Sequence, residues 1–519
     1  MKKICLFFFM VFSFSGLLYG QMTWTTPVTL SGTGASSPQI VADANANATA
    51  AWMESGIVKS SSLPFGGSWS SATTLSSTGS SNPVIVVDSS GNVTALWLQS
   101  GVIMSASLPF GGSWGSAVSV SSSGASTPAM AVDTSGNVVG VWIRNGFVET
   151  ATQLSGMSWG IVSMLSGASS TNPKIAIGGG LAAVSWTTVV SGTSVIQAAT
   201  GTVGGSWNSA QTLSQAIFDN DYSRIAVDSN GNVIALWYQY DFDTVNYSNV
   251  NVVSAALGTS SGMTTWDPPV VLSLNGQKNP ALLKARIGFD GQGNALAFWS
   301  NCYDEQTFAI EAVIRPVGAT WGGVSQLDAQ DLFAFQGDVS NNSFGDAVAV
   351  YMSYDNVSSV NIVSTESDIG GVTENFWSPT VIVSTGADNG YPRVASTLLS
   401  GVINGFAVWI TSDGVNNTIA ASTGARTLLL PPTSPSVVQS SVNYGVFTNY
   451  YNTISWTLST DPNTIEYIIF RNNIFLGQVG SSSAQFVDNN QIQNGSVIYS
   501  IVGFDMFRAQ STAATVSFP

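Results

Sequence analysis

The sequence predicts an all-β chain of repeated four-stranded units followed by a separate β-sandwich. Three observations carry this. First, the stretch Asn82–Trp114 (NPVIVVDSSGNVTALWLQSGVIMSASLPFGGSW) recurs in near copies at Pro38–Trp52, Pro128–Trp142, Ser223–Trp237 and Arg286–Trp299. Degenerate copies end at Trp186, Tyr351 and Trp409, making eight in all. Second, a further tryptophan marks each joint (Trp24, Trp69, Trp114, Trp159, Trp207, Trp266, Trp321, Trp377), and the first three spacings are each 45 residues. Third, the strand candidates are rich in Val, Ile, Thr and Trp and are separated by Gly-containing turns. A fixed period of this length with four short strands per unit is the pattern of an eight-bladed β-propeller, with seven blades as the alternative.

Within one repeat the strands read SATTLS (Ser71–Ser76), VIVVD (Val84–Asp88), NVTALW (Asn92–Trp97) and VIMSASL (Val102–Leu108), called a to d. The b–c link, Asp88 to Gly91, is a tight turn: Asp bonds its own backbone and Gly supplies a positive φ. Strand c is apolar on both faces, as expected of a sheet covered on both sides. Strand b is uniformly apolar and is placed innermost. A blade then runs b, c, d and the a-strand of the next repeat, with PFGGSW as the hairpin between the third and outermost strands. The last blade lacks its outer strand, and Trp24–Ser31 is expected to supply it and close the ring.

The chain opens with Lys2, Lys3 and an apolar run from Ile4 to Phe14, with Gly20 at a plausible cleavage point. This reads as a signal peptide over residues 1–20 and places the protein as secreted or at the cell surface, extracellular or periplasmic. Only Cys302 lies beyond the leader, so no internal disulfide is expected, and the stability must come from large cores. The chain of 519 residues carries 14 Lys and Arg against 29 Asp and Glu, a net charge of −15, and only 8% charged residues. That balance argues against nucleic acid as a partner. No apolar run beyond the leader is long enough to span a bilayer. A monomer is expected.

The motif IAVDSNGNVIALW (Ile225–Trp237) resembles the blade motif of NHL-type propellers, in which an apolar strand passes through a D-x-x-G-N turn into a second strand. It is also similar on its surface to the Asp-box of sialidases, although Trp237 lies further behind Gly231 than that motif places its Trp. The resemblance spans residues 22–430 and implies a fold without an activity. From Thr427 the pattern breaks at TLLLPPTSPS, read as a linker. Residues 433–519 then resemble a fibronectin type III domain: NTISWTL (Asn452–Leu458) as strand B, IEYIIFRNN (Ile465–Asn473) as C, VIYSIVGFD (Val497–Asp505) as F with Tyr499 at the family's tyrosine position, and TAATVSF (Thr512–Phe518) as G. No Arg-Gly-Asp occurs.

The chain has no histidine, which removes His-based triads, HExxH and Cys/His metal clusters. No catalytic residue, cofactor or metal site is therefore assigned. The turn aspartates Asp43, Asp88, Asp133, Asp228 and Asp290 read as turn formers, since one carboxylate per turn supplies too few oxygens for calcium. The repeated tryptophans read as packing between blades. Arg224, Arg286 and Arg393 fall just before or within strand b and would face the channel. The a–b and c–d loops open on one face and lengthen from repeat five onward. The a–b loop QAIFDNDYS holds Asp219, Asp221 and Tyr222. The c–d loop YQYDFDTVNYSN holds Tyr238, Tyr240 and Asp241, and the next c–d loop holds Tyr303 and Asp304. These eight are the candidate ligand-binding residues, because Tyr beside Asp suits sugar stacking with hydroxyl binding, or a protein hot spot. The reading is a non-enzymatic binding or adhesion protein for a glycan or extracellular protein ligand, with a sialidase-like glycan-processing hydrolase as the alternative.

Overall fold

The computed structural model describes residues 22–518 apart from short segments at 242–248, 258–265, 274–284, 305–306, 328–333, 343–344, 355–359, 369–376, 379, 385–387, 473, 494, 506–510 and 512. Every named element is a β-strand. Among the described residues ten antiparallel sheets form, eight of them in succession from the repeats. In sheet 2 the strands are Ser80–Val87, Val93–Gln99, Val102–Leu108 and Val118–Ser119, paired in that order. The other repeats follow the same order. The outermost strand is only two residues long in each, shorter than the a-strand read from sequence.

The turn chemistry is local and repeats. In sheet 2, Asp88 Oδ1 accepts the N–H groups of Ser90 (2.9 Å) and Asn92 (2.8 Å), and Oδ2 accepts Asn92 Nδ2 (2.8 Å). Asn92 Oδ1 in turn accepts the Phe110 N–H at 3.0 Å, which ties the PFGGSW hairpin to the same edge. Asp43, Asp133, Asp228 and Asp290 make the same bonds. These carboxylates are thus spent on their own turns.

The order of packing shows a closed ring. Trp97 of sheet 2 packs on Ala51 and Met53 of sheet 1, and Trp142 of sheet 3 on Leu96 and Ile103 of sheet 2. Each later sheet repeats the step, with Tyr351 taking the tryptophan's place in sheet 7. Trp52 of sheet 1 then packs on Val408, Ile410 and Ile419 of sheet 8. The first strands of successive sheets touch, and that of sheet 8 (Asn389–Leu399) touches that of sheet 1 (Ala35–Ala42). The b-strands are therefore innermost and the fold is propeller-like.

The N-terminal segment supplies the outer strand of sheet 8. Thr23–Trp24 and Val28–Thr29 pair with Asn417–Thr427, the third strand of that sheet. Met22 is 1% exposed and its sulfur lies over Gly405 and Gly424, where a Cβ would come within 2.7 Å of it. Its N–H donates to Glu366 Oε1 at 2.7 Å.

Beyond the ring, Thr433–Asn443, Thr448–Thr457 and Gln485–Gln491 form one sheet, and Ile474–Gly480, Glu466–Arg471, Val497–Phe504 and Ala514–Phe518 the other. They enclose Trp456, Tyr467, Ile469 and Tyr499. Tyr499 donates to Asp488 Oδ2 (2.7 Å) and accepts from Asn452 (2.9 Å). The expected linker reaches only to Pro432. Thr433 to Ser436 already belong to a strand, because the prolines fall before it and at its register shift. Among the described residues no helix is long and apolar enough to cross a membrane.

Candidate functional site

Among the described residues, seven of the eight inner strands are interrupted at the same place. The register slips between Ser36 and Gln39, Ser81 and Val84, Ser126 and Ala129, Thr171 and Lys174, Asp221 and Arg224, Phe335 and Asp338, and Gly390 and Arg393. The residue inside each slip has a positive φ: Ser37, Asn82, Thr127, Asn172, Tyr222, Gln336 and Tyr391. In five of the eight repeats a proline follows (Pro38, Pro83, Pro128, Pro173, Pro392), tolerated because the inner strand has a free edge on which no ladder N–H is needed. A β-bulge kinks a strand and re-aims the next side chain. The eight side chains that follow hold equivalent positions around the ring: Gln39, Val84, Ala129, Lys174, Arg224, Arg286, Asp338 and Arg393. Arg286 pairs with Phe298 as Arg224 pairs with Leu236, one residue before the buried tryptophan in both.

Five of these eight side chains are therefore charged, and four of the five are cations. Arg224 donates through Nε to the Ala285 carbonyl (3.0 Å) and through Nη1 to the Ser223 carbonyl (3.0 Å). Arg286 donates to the same Ala285 carbonyl (3.1 Å) and pairs with Asp338 at 2.5 Å. Two guanidinium groups thus converge on one oxygen. Arg393 donates to the Pro392 carbonyl and Lys174 to the Pro173 carbonyl, each at 3.0 Å. Asp338 also accepts the Val394 N–H at 3.3 Å. All four cations are half-buried, closely surrounded by protein with part of their surface open. Burial, then the Arg224 and Arg286 charges, pull the Lys174 ammonium down to about 7, against a smaller opposing pull from Asp221. Burial and Arg286 pull Arg224 down to about 9, so it stays charged at neutral pH. Arg393 is lowered for the same reasons.

The expected loop residues divide. Asp219, Asp221 and Tyr222 lie within the inner strand Asp219–Val227, and Tyr238, Tyr240 and Asp241 within the second strand Val233–Asp241; Asp219 pairs with Tyr240. What the sequence suggests as loops are strand extensions, because the pairing runs past the bulge. Tyr222 stays 43% exposed, and Tyr391, at the equivalent place in sheet 8, is 48% exposed. Tyr238, read as a ligand contact, is instead a core residue. It is fully buried with Leu236, Ala297 and Trp299 between sheets 5 and 6, its ring 6.4 Å from Tyr222 in an edge arrangement. Tyr240 is half-buried against the same cluster. Asp219 accepts the Ser194 N–H at 2.9 Å. Asp221 accepts Thr187 Oγ1 (2.7 Å), Asn172 Nδ2 (3.1 Å) and the Tyr222 N–H (2.7 Å), so both hold strands together. Asp241 and Asp304 end their strands and Tyr303 lies beside Asp304; the side chains of all three are outside the described residues.

Chemically, this arrangement offers oxyanion recognition beside exposed tyrosine rings. Burial raises the Tyr238 phenol far above neutrality, and Asp221 and Asp338 are engaged in hydrogen bonds and an ion pair. Lys174, Asp338 and Tyr391 escape the reading of the sequence. Stacking the repeats on the Asp-turn would have shown them, since SPQ, NPV, TPA, NPK, YSR, KAR, QGD and YPR then share one column. On the opposite face, two clefts of about 850 and 800 Å³ lie one repeat apart, against the PFGGSW hairpins at Trp114 and Trp69.

No family model and no curated protein matches the sequence. Solved structures do resemble it in part. A polysaccharide lyase, the PL25 ulvan lyase bound to a GlcA–Rha3S repeat, is 9% identical with a TM-score of 0.44, over 76% of this chain and 95% of that one. The α-L-arabinanase of Penicillium chrysogenum bound to arabinobiose is 10% identical with a TM-score of 0.35, over 64% and 94%. A Hadza microbial sialidase is 11% identical with a TM-score of 0.28, over 56% and 77%. None of these likenesses is strong enough to bring an activity to this chain.

Proposed function

We propose that this is a secreted or cell-surface glycan-binding protein. Residues 22–430 make an eight-bladed propeller, and residues 433–519 a fibronectin type III-like domain that follows it. Eight successive sheets, seven of four strands and the last of three strands completed by the two N-terminal ones, support the first assignment. The B–C–F order of strands around Trp456 and Tyr499 supports the second. One observation carries the function. Tyr222 and Tyr391 stand exposed at the left-handed bulge position, and two residues later the half-buried Arg224 and Arg393 each lie within electrostatic reach of Arg286, with Lys174 near Arg224. Aromatic faces next to convergent polar donors are what a saccharide needs, rings for stacking and donors for its oxygens.

The same convergence of arginines favours the hydrolase as the second reading. Binding ranks first because the phenol beside the arginines is buried and neutral and the nearby carboxylates are engaged. The test is a glycan array with the mature chain, followed by the Y222A/Y391A variant. Loss of binding with an unchanged melting temperature supports the reading. Intact binding by that variant, with loss on altering the Phe110–Trp114 hairpin, places the site on the opposite face. Robust glycoside turnover, abolished by Arg224→Gln, establishes the hydrolase instead.

A further inference from the structure

The chain is strongly acidic, and among the described residues its other buried or half-buried arginines, apart from Arg315, which donates to the Ala319 carbonyl, have acidic partners: Arg144 with Glu149, Arg426 with Glu366 and Asp346, Arg471 with Asp488. The inner circle departs from this. Lys174, Arg224, Arg286 and Arg393 hold equivalent positions in sheets 4, 5, 6 and 8, with Asp338 in sheet 7 between the last two. Asp338 is paired with Arg286. Among the described residues, Arg224, Arg393 and Lys174 have no carboxylate at ion-pair distance, and their hydrogen bonds go to main-chain carbonyls. Asp221, the other carboxylate nearby, is already bonded by Thr187, Asn172 and Tyr222. Gathering like charges out of water is costly unless an opposite charge offsets it.

Resting on the glycan-binding reading, we propose that this arc of cations is the oxyanion site for an acidic sugar chain, its carboxylate or sulfate ester, and that Lys174 takes up a proton when the site fills. The oxyanion class follows from guanidinium geometry, since planar forks match carboxylate and sulfate oxygens. The proton follows from the mixture of cations. Lys174 holds its proton less tightly than Arg224, so the mutual repulsion is relieved first at the single lysine. The charged groups acting on Lys174 are Asp221 and Arg224 from sheet 5 and Arg286 from sheet 6; the inner strand of sheet 3, Ala125–Val132, brings none. The lowered Lys174 affinity for protons agrees with this crowding. A bound anion reverses the balance. Above neutrality, filling the site therefore draws a proton from solvent, and affinity declines as pH rises. At mildly acidic pH the lysine is already charged and no uptake occurs.

Calorimetry with the mature full chain tests both parts. The probes are oligogalacturonate, a sulfated oligogalactan and neutral oligogalactose, each at about pH 6 and about pH 8.5 in two buffers of different ionisation heat. The acidic probes are expected to bind and the neutral one not. The heat should depend on the buffer at the higher pH alone. Arg224→Gln should weaken acidic binding about tenfold or more. Lys174→Met should abolish the buffer dependence and flatten the pH profile. Equal binding of the neutral probe overturns the oxyanion site while leaving a glycan-binding protein. Acidic binding without buffer-dependent heat overturns the role of Lys174. Should no glycan bind, the glycan reading fails, and inorganic sulfate decides the anion site alone: it must raise the melting temperature of the native chain and not that of Arg224→Gln.

Discussion

The closure of the ring rests on a buried ionic cluster whose removal has a calculable consequence. Arg426, on the third strand of sheet 8, donates to Glu366 Oε2 at 2.7 Å and reaches Asp346 Oδ1 at 3.3 Å, both in sheet 7. Glu366 in turn accepts the Met22 N–H that begins the closing segment. Replacing Arg426 by Met keeps much of the stem volume but leaves two carboxylates facing each other out of water. Breaking a buried pair in this way costs about 3–5 kcal/mol. The loss is pH-dependent, and its sign is determined by the structure. Burial already raises both carboxyl groups above their ordinary values, and Arg426 is what opposes this. Without it they rise further. An acid whose folded-state proton affinity exceeds its unfolded one destabilises the fold at high pH and ceases to do so once protonated. The deficit of Arg426→Met should therefore be full at about pH 7.5 and shrink toward the ordinary carboxylate range near pH 4. Urea unfolding followed by tryptophan fluorescence, with native and variant chains at about pH 7.5 and 5, measures it. The R426M/E366Q variant should recover part of the loss without acidification. A deficit below about 1 kcal/mol, or one equal at both pH values, would refute the argument.

Other consequences are simpler to measure. Tyr238→Ala should cost about 3–5 kcal/mol in urea unfolding, as for a core aromatic. Tyr238→Phe should leave stability unchanged or raise it, because the buried hydroxyl has no hydrogen-bond partner among the described residues. Asp88→Ala removes three hydrogen bonds from its turn and should cost about 1–3 kcal/mol, with the same melting curve in calcium and in chelator. Gly424→Ala drives a methyl into the Met22 sulfur and should cost about 1–3 kcal/mol. Adding Met22→Ala to it should cost less than the sum of the two single changes, and additive losses would separate the two residues.

Much of the architecture is legible along the chain because its determinants are local. The D-x-x-G-N turns close on their own carboxylates within four residues, and the buried tryptophans recur with the period of the sheet they cover. A repeat that cannot bury its apolar faces alone must stack, so periodicity carries the stacking, and a missing outer strand in the last unit calls for Trp24–Ser31 to fill it. The site is less legible. Tyr238 and Tyr222 lie in one Tyr- and Asp-rich context in the sequence, yet one is in the core and the other in solvent. The difference is made by the bulge at Tyr222 and by how far pairing between Asp219 and Tyr240 extends, and neither is a property of composition. Lys174 and Arg393 are 219 positions apart in the chain and become members of one cationic arc because the ring closes. Side-chain class and period are written locally; which distant charges share a low-dielectric centre depends on long-range closure, and only the tertiary structure decides that.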